Sequence, residues 1–236
     1  MIFVCGDTHG EIDFHKLNSK NWPEGKALTK DDYLIVCSDF GLIWDLQESR
    51  NEQYLKKWYN NKPWTTLFID GNHENFYRLF SDEFKEMNMF GSKIKQISDS
   101  IFYLQRGHIY TINNKTFFTF GGGESIDKEG RTPFLSWWPE ELPNYKEENL
   151  AIENLKRFGN KVDFIITHSC PDKASKYIIE KFDMSYKENA ERSLRSFFSW
   201  IYRNIEFEKW CFGHFHENLS FGKFELLYNK KPLRII

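Results

Sequence analysis

Short apolar runs recur along the chain, and most of them end next to glycine, asparagine, aspartate or histidine. Runs of this kind are typical of buried β-strands. The predicted strands are Ile2–Cys5, Tyr33–Cys37, Thr65–Ile69, Ile101–Leu104, Ile109–Ile112, Thr116–Phe120, Phe164–Thr167 and Trp210–Phe212. Asn113-Asn114, between two of these runs, predicts a hairpin turn. The alternating stretch NLSFGKFELLYN predicts another strand pair, with its turn near Gly222-Lys223.

Segments with apolar residues at helical spacing lie between the strands. They are Ser49–Tyr59, Asn149–Phe158 and, as the longest, Tyr186–Ile205. Strands that alternate with helices around a central hairpin predict an α/β fold with mixed sheets. Because no repeat or low-complexity linker divides the chain, we expect residues 1–236 to form one domain. The irregular stretch 121–146 contains Gly, Pro and Trp, and we interpret it as a functional loop insertion.

The amino-acid composition indicates which broad class of protein this is. Hydrophobic residues make up 40% and aromatic residues 18% of the 236 residues, which is enough for a packed core. The formal net charge of -2 offers no overall positive field for DNA or RNA. The 4 cysteines are far apart and lie in apolar runs, so we expect buried thiols of a reducing compartment. With no basic leader and no apolar run of membrane-spanning length, we expect a soluble cytoplasmic protein.

Polar side chains of the kinds that bind metal ions follow five of the predicted strands. In open α/β sheets, ligands bind beyond the carboxyl ends of the strands. Carboxylate, amide and imidazole groups together suit ions such as Mn, Fe or Zn. The candidate groups are Asp7, His9, Asp39, Asn72, His168, His214 and His216. So many groups exceed the needs of one tetrahedral ion and suit two ions about 3.5–4 Å apart that share a carboxylate.

Each of these motifs has a plainer interpretation when it is taken alone. A D-x-H pair is often a surface pair, G-N-H-E can be a turn that opens a helix, and G-H-x-H can be a histidine pair in a loop. Most of the 7 histidines stand directly after β-runs, and only His15 and His108 do not. This shared setting favours a metal site for the set as a whole.

The ordered motifs resemble those of the calcineurin-like metallophosphoesterases. The family pattern runs D-x-H, G-D-x, G-N-H-[DE], H and G-H-x-H, and this chain reads GDTHG, CSDFG, DGNHE, THSC and CFGHFH. The resemblance implies an α/β fold of the α+β type, in which two facing mixed β-sheets are flanked by helices and carry a dinuclear site at one edge. It also implies two divalent ions, with Mn preferred over Fe, Zn, Ni or Mg. The implied reaction is hydrolysis of a phosphoester by in-line attack of a metal-bound hydroxide.

The resemblance also assigns a role to each residue. Asp7, His9 and His216 would hold the first ion, Asn72, His168 and His214 would hold the second, and Asp39 would bridge the two. His73 would not be a ligand and would instead stabilise the leaving oxygen or protonate it as a general acid. The alternative for His73 is a capping histidine or one that lies behind the ligands. Asp45 and Glu74 are the two carboxylates considered for orienting His73.

The chain departs from the family pattern around the second and third motifs. Ser38 stands where glycine usually precedes the bridging aspartate, and a residue this small leaves ligation by Asp39 intact. Protein phosphatases of the superfamily continue as G-D-x-x-D-R, whereas this chain continues with F-G-L. They also place an arginine after G-N-H-E, where this chain has Asn75. These differences argue against a phosphoprotein phosphatase and favour a diester or nucleotide substrate slightly.

The segment RTPFLSWWPEE is where we expect the substrate to be chosen. Arg131 is a candidate phosphate clamp because a guanidinium can grip two phosphate oxygens, although a solvated surface arginine is an equal alternative. Trp137 and Trp138 are candidates for stacking on a ring of the substrate. Tryptophan pairs more often pack a loop onto the protein, and we expect at least one of the two to do so.

The sequence leaves several chemical classes of substrate open. No extended basic groove is visible in the sequence, so a small phosphoester or nucleotide is a better candidate than an extended nucleic acid. Phosphatase and phosphodiesterase activities are both open. A binding module that kept the fold and lost the chemistry and a nuclease are the competing hypotheses, and the oligomeric state is undetermined.

Overall fold

Two β-sheets pack face to face at the centre of the protein, and helices cover their outer faces. The structure is a computed structural model that describes residues 1–184 and 191–236. The arrangement confirms the α/β class and the two mixed, helix-flanked sheets that the resemblance implied.

The first sheet contains seven strands, most of which come from the N-terminal half of the chain. They are β1 (Ile2–Cys5), β2 (Tyr33–Val36), β3 (Thr65–Phe68), β4 (Lys85–Met89), β5 (Ser92–Ser98), β6 (Ile101–Leu104) and β13 (Leu233–Arg234). Their spatial order is β13-β1-β2-β3-β6-β5-β4. The central strands β1, β2, β3 and β6 run parallel, and the outer strands pair antiparallel with their neighbours.

The second sheet contains six strands in the order β11-β12-β10-β9-β8-β7. They are β7 (His108–Ile112), β8 (Lys115–Phe120), β9 (Phe164–Thr167), β10 (Lys209–Phe212), β11 (Leu219–Phe221) and β12 (Phe224–Leu226). The four central strands are parallel, and β7 and β11 are antiparallel edges. The helices are α1 (Arg50–Asn60), α2 (Phe76–Phe80), α3 (Tyr145–Arg157), α4 (Asp172–Phe182) and α5 (Arg192–Asn204).

The core is divided by the two sheets into three apolar layers. The middle layer lies between the sheets and includes Val4, Ile35 and Leu67 from the first sheet and Ile166 and Cys211 from the second. A second layer packs α1 onto the first sheet, and a third packs α3, α4 and α5 onto the second. All four cysteines are buried and free, which confirms the expected buried thiols. Because so many of the strands are covered on both faces, their sequences read as unbroken apolar runs.

The eight strands predicted from apolar runs are all present with nearly the predicted bounds. The hairpin is confirmed, because Asn113 and Asn114 both have positive φ (51° and 61°), as the commonest two-residue hairpin turn requires. The predicted pair near the end of the chain is also confirmed as β11 and β12. The hairpin of β4 and β5 was missed because it lies at the edge of the sheet, where charged residues such as those of KEMNM hide the strand pattern.

The helices were predicted less completely than the strands. The helix predicted at Ser49–Tyr59 is α1, with Ser49 as its N-cap. The helix α3 begins at Tyr145, earlier than the apolar spacing indicated, because Asn144 and Glu147 form a capping box. The predicted Tyr186–Ile205 helix is confirmed from Arg192 to Asn204, and its residues 186–190 lie outside the described part of the chain. The helices α2 and α4 were not predicted.

A buried ion pair supports the loop that follows β3. Asp70 is completely buried, and its carboxylate accepts hydrogen bonds from Tyr103 Oη at 2.7 Å and from Arg106 Nε and Nη2 at 2.9 and 2.6 Å. Asp70 directly precedes the G-N-H-E motif. The ion pair therefore ties the loop that carries this motif to β6 and to the residues that follow it.

Removing the arginine from this pair should destabilise the protein strongly. Arg106→Leu leaves the Asp70 carboxylate buried without its charge partner, which costs about 3–5 kcal/mol. Urea denaturation followed by circular dichroism measures this loss in the free energy of unfolding. The exposed Arg203→Leu serves as the control and should change stability by less than about 0.5 kcal/mol. The double variant Asp70→Asn/Arg106→Leu should recover part of the lost free energy of unfolding. A double variant as unstable as Arg106→Leu alone would contradict the charge argument.

Candidate metal centre

The candidate ligands converge at the edge where the parallel strands of both sheets end. Asp7 and His9 follow β1, Asp39 follows β2, Asn72 follows β3, His168 follows β9, and His214 and His216 follow β10. Two groups of side chains hold ligand atoms within 4.8 Å of one another, namely His9, Asp39 and His73, and Asp7, Asp39 and His168. Asp39 belongs to both groups, a position that suits the bridging role expected of it.

Asp39 is the buried centre of this edge. Its Oδ1 accepts hydrogen bonds from the backbone N–H groups of Asn72 and His73 at 2.7 and 2.9 Å. Its Oδ2 lies 3.4 Å from His9 Nε2, and its Oδ1 lies 3.7 Å from His168 Nε2. Burial raises the pKa of the Asp39 carboxyl, but the surrounding histidines hold that pKa well below its usual range. The carboxylate is therefore ionised and available as a ligand.

The close approach of Asp39 to the third motif explains the glycine at position 71. A Cβ at Gly71 would lie 1.8 Å from Asp39 Oδ1, which no side chain can tolerate. The loops after β2 and β3 are thus packed directly against each other. This contact brings the second and third motifs, which are far apart in the chain, to one place.

The amide of Asn72 is oriented by a serine and a glutamate that the sequence did not single out. Asn72 Nδ2 donates to Ser125 Oγ at 3.2 Å, and Ser125 Oγ donates to Glu141 Oε1 at 2.9 Å. Burial raises the pKa of Glu141 to about 7. With Nδ2 engaged by Ser125, the Asn72 Oδ1 oxygen faces His168 Nε2 at 2.8 Å. Both supporting residues belong to the stretch 121–146, which therefore contributes to the site.

The two histidines at the open side of the edge are held by their own neighbours. His9 Nδ1 lies 2.6 Å from Asp13 Oδ2, which leaves His9 Nε2 directed toward Asp39. The ring of His216 is exposed, lies 4.9 Å from the ring of His9 and stacks on Tyr228 at 4.6 Å. These contacts place His9 and His216 side by side, as the assignment to one ion requires.

Glu191 is a further part of the site that sequence reasoning missed, since it belongs to no motif. It is completely buried, and its Oε1 lies 3.0 Å from His214 Nε2. Ser169 Oγ and the backbone N–H of Glu124 also donate to this carboxylate, at 2.7 Å each. Burial raises the pKa of Glu191, but His214 and these hydrogen bonds lower it to about 2. Because Glu191 engages Nε2, the nitrogen of His214 left for a metal is Nδ1.

One unsatisfied atom tests whether this set of residues fits a metal. Asp7 Oδ2 is buried and has no hydrogen-bond partner within the described part of the chain. A buried polar atom of this kind normally has a partner, and a carboxylate oxygen beside imidazoles is a typical ligand of a divalent ion. The donor set and the unsatisfied oxygen therefore fit a metal centre.

The backbone at three of the candidate ligands is strained. His9, His214 and His216 have positive φ angles of 43°, 68° and 51°, which is uncommon for residues other than glycine. Such strain persists where the surrounding structure enforces it, and it concentrates at functional sites. Here it aims three imidazoles at one edge of the sheets.

His73 has neighbours different from those expected. It stacks on Trp44 at 5.6 Å, and Arg131 Nη2 lies 3.3 Å from its Nε2. No hydrogen bond joins it to Asp45 or Glu74 in the described residues, and Glu74 instead accepts from the backbone of the loop after β2. Burial lowers the pKa of His73, and the Arg131 guanidinium lowers it as well. The Asp39 carboxylate, whose Oδ2 lies 4.0 Å from His73 Nε2, opposes this, and the pKa of His73 stays below its usual value.

The three candidate substrate residues in the stretch 121–146 have different surroundings. Arg131 is fixed by Asp127 Oδ1 at 2.8 Å and by the Ser136 carbonyl at 3.1 Å, so it is not a freely solvated arginine. Trp138 is completely buried and packs against the ring of Trp44 at 5.5 Å, which matches the packing alternative and leaves no face for a substrate. Trp137 is half-buried, and its contact with a substrate stays a prediction.

Two cavities meet at His73. The larger has a volume of about 720 Å³, and its lining includes Asp39, Asn72, His73, Arg131, His214, His216, Phe182 and Phe215. The smaller has a volume of about 470 Å³ and lies between His9, Trp44 and His73. A small molecule in the larger cavity would therefore touch the candidate ligands and Arg131 together.

Comparison with known proteins identifies the family. The sequence profile of the calcineurin-like phosphoesterases matches residues 1–218. The chain belongs to the calcineurin-like phosphoesterase family. The family is metal-dependent and hydrolytic, and the Asp and His groups at the sheet edge of this phosphoesterase can bind metal. No curated protein matches the chain. None of the described helices is long and apolar enough to cross a membrane.

Metal binding to this phosphoesterase should depend on pH through two histidines. Burial lowers the pKa of His9 and His214, but the carboxylates of Asp39 and Glu191 raise it to about 9 in each case. Imidazole binds a metal only in its neutral form, so at pH 7 binding must displace these protons. We expect calorimetry with Mn²⁺ in buffers of different ionisation enthalpy to show release of about two protons.

The same argument fixes the direction of the pH dependence. Affinity for Mn²⁺ should fall as the pH drops below about 9, since both rings are protonated there. The exposed His15→Asn serves as a control and should leave the number of released protons unchanged. An enthalpy of binding independent of the buffer would contradict the prediction.

Proposed function

We propose that the protein hydrolyses a phosphoester of a small molecule with the help of two divalent metal ions. One observation carries the proposal: the buried carboxylate of Asp39 lies within ligand distance of His9 and also of Asp7 and His168. A shared carboxylate is the feature that a pair of neighbouring ions requires. The proposal extends the family's metal-dependent hydrolysis to a two-metal mechanism.

The ligand sets are those that the family motifs imply. Asp7, His9 and His216 would hold one ion, Asn72, His168 and His214 the other, and Asp39 would bridge them. Ions held in this way polarise a phosphoryl oxygen and lower the pKa of water toward neutrality. Manganese is our first choice, and iron, zinc, nickel or magnesium are compatible with the same oxygen and nitrogen donors.

His73 and Arg131 would contact the substrate and not the metal ions. Arg131 Nη2 lies 3.3 Å from His73 Nε2, and both residues line the larger cavity. The guanidinium would bind a phosphoryl oxygen through charge-assisted hydrogen bonds. His73, which stacks on Trp44, would contact the leaving oxygen and would donate a proton to it in the imidazolium form, after taking that proton up from solvent; its lowered pKa makes this form the minor one at pH 7. Asp127 holds Arg131 in place for this task.

The larger cavity supports a compact substrate. Its volume of about 720 Å³ suits a nucleotide or another small phosphoester, and a site for an extended nucleic acid would need a basic groove. Arg131 is the only arginine or lysine among the described residues that line this cavity, whereas Glu124, Asp127, Asp183 and Glu217 are acidic. Monoesters and diesters both remain candidates.

The direct test is hydrolysis of nitrophenyl phosphate and bis-nitrophenyl phosphate by the protein loaded with Mn²⁺. We expect turnover of at least one ester that is lost when a chelator removes the metal and returns when Mn²⁺ is added. Binding of nucleotides without turnover under any metal would instead favour the binding module. Competition by single-stranded DNA that weakens steeply with salt would favour the nuclease.

Two substitutions should separate metal binding from the chemistry. His73→Asn removes the imidazole but no candidate ligand, so we expect turnover to fall by about 10²–10⁴-fold while both ions stay bound. Asp39→Asn weakens the shared ligand, so both turnover and metal content should fall. Elemental analysis of the purified variants measures the metal, and nitrophenyl ester kinetics measure turnover. Equal metal loss in both variants would rule out the separate role of His73.

A further inference from the structure

The hydroxyl of Ser38 touches three of the candidate ligands at once. Ser38 is completely buried, and its Oγ forms a short hydrogen bond with Asp7 Oδ1. The same Oγ lies 2.6 Å from His168 Nδ1 and 3.2 Å from the backbone nitrogen of His214. Ser38 occupies the position where the family pattern carries glycine, which has no hydroxyl. A glycine at this position could not form these contacts.

Counting hydrogens assigns a direction to each of these bonds. A serine hydroxyl has one hydrogen to donate and two lone pairs that accept. The Asp7 carboxylate can only accept, so it takes the hydrogen of Ser38. The backbone N–H of His214 can only donate. His168 Nδ1 must then carry a hydrogen and donate it to Ser38 Oγ, because the hydroxyl has no second hydrogen to offer.

This assignment determines which nitrogen of His168 is free for a metal. With the hydrogen on Nδ1, the neutral ring presents the lone pair of Nε2 to Asn72 Oδ1 at 2.8 Å and to Asp39 Oδ1 at 3.7 Å. Ser125 fixes the Asn72 amide so that its oxygen, and not its nitrogen, faces this nitrogen. Acceptor atoms that face each other at this distance repel unless a cation lies among them.

The same hydrogen bond makes the two oxygens of Asp7 different. Asp7 Oδ1 is occupied by Ser38 Oγ and by the backbone N–H of Asp39 at 3.2 Å. Asp7 Oδ2 is the buried oxygen that lacks a partner in the described part of the chain. The hydroxyl of Ser38 therefore leaves one oxygen of Asp7 and one nitrogen of His168 open.

The hydroxyl has little room to adopt another position. A Cβ at Gly213 would lie 2.3 Å from Ser38 Oγ and 3.0 Å from Asp7 Oδ2, so the backbone of the last motif packs directly on this group. Ser38 thus links β2 of the first sheet to the loops after β9 and β10 of the second. A glycine at this position would leave Asp7 Oδ1 and His168 Nδ1 without this partner.

We propose that Ser38 is a positioning residue that selects Asp7 Oδ2 and His168 Nε2 as the atoms that bind the metal ions. The proposal rests on the proposed two-metal function. In physical terms, the hydroxyl of Ser38 fixes the tautomer of His168 and the orientation of the Asp7 carboxylate. Groups that hydrogen-bond to metal ligands in this way typically change metal affinity or activity by about 10–100-fold when they are removed.

The test uses Ser38→Ala, with Ser175→Ala as the matched control. Ser175 is also completely buried, and its hydroxyl accepts a hydrogen bond from Arg195 but touches no candidate ligand. Titration calorimetry with Mn²⁺ should show about 10–100-fold weaker binding for Ser38→Ala. The control should bind Mn²⁺ as the wild type does. Ser38→Gly, which carries the family residue, should behave like Ser38→Ala and serves if the alanine variant fails to fold.

A second readout reports the tautomer directly. In the Zn²⁺-loaded wild type, ¹⁵N NMR of the histidine side chains should show His168 with its hydrogen on Nδ1 and its Nε2 bound to metal. In Ser38→Ala this Nδ1–H should lose its hydrogen bond and exchange faster with water. Unchanged Mn²⁺ affinity together with unchanged His168 exchange would overturn the role of Ser38. Failure of the wild type itself to bind two ions would overturn the proposed function instead.

Discussion

The burial of the Asp39 carboxylate is the constraint on which the rest of the site depends. A buried negative charge is costly unless positive groups or hydrogen bonds compensate it. Here two backbone N–H groups bind one of its oxygens, and histidines from both sheets surround it. The loops must pack closely to provide this compensation, and the absence of a side chain at Gly71 allows that approach. The geometry that stabilises Asp39 is also the geometry that can bind metal.

Around this centre, neutral hydroxyls and buried carboxylates orient the ligands. Ser38 contacts Asp7 and His168, Ser125 contacts Asn72, and Glu191 contacts His214. Ser38 stands at a position of the second motif, Ser125 and Glu191 lie outside the motifs, and all three are distant in sequence from the ligands that they contact. Metal sites depend on such supporting bonds to fix tautomers and ring directions. The family motifs supply the candidate ligands, and Ser38, Ser125 and Glu191 orient them.

Much of the fold was predictable because strands buried on both faces leave unbroken apolar runs in the sequence. Edge strands such as β4 and β5 were missed because they are polar, and short helices such as α2 carry little periodic signal. The sequence left open whether Asp45 or Glu74 orients His73, and neither forms a hydrogen bond with it in the described residues. Its actual neighbours are aromatic and cationic side chains, and no local rule relates their positions to the G-N-H-E motif.

By itself, the sequence determined the order of the strands along the chain, the family and the types of side chain at the strand ends. These properties are local, because each motif directly follows the strand that presents it. The tertiary structure alone decided that Arg131 lies against His73, that Trp138 is buried, and that Glu191 reaches His214. These contacts join residues separated by many positions, and they exist only because two sheets pack face to face. Packing, and not periodicity, sets the distances on which the chemistry depends.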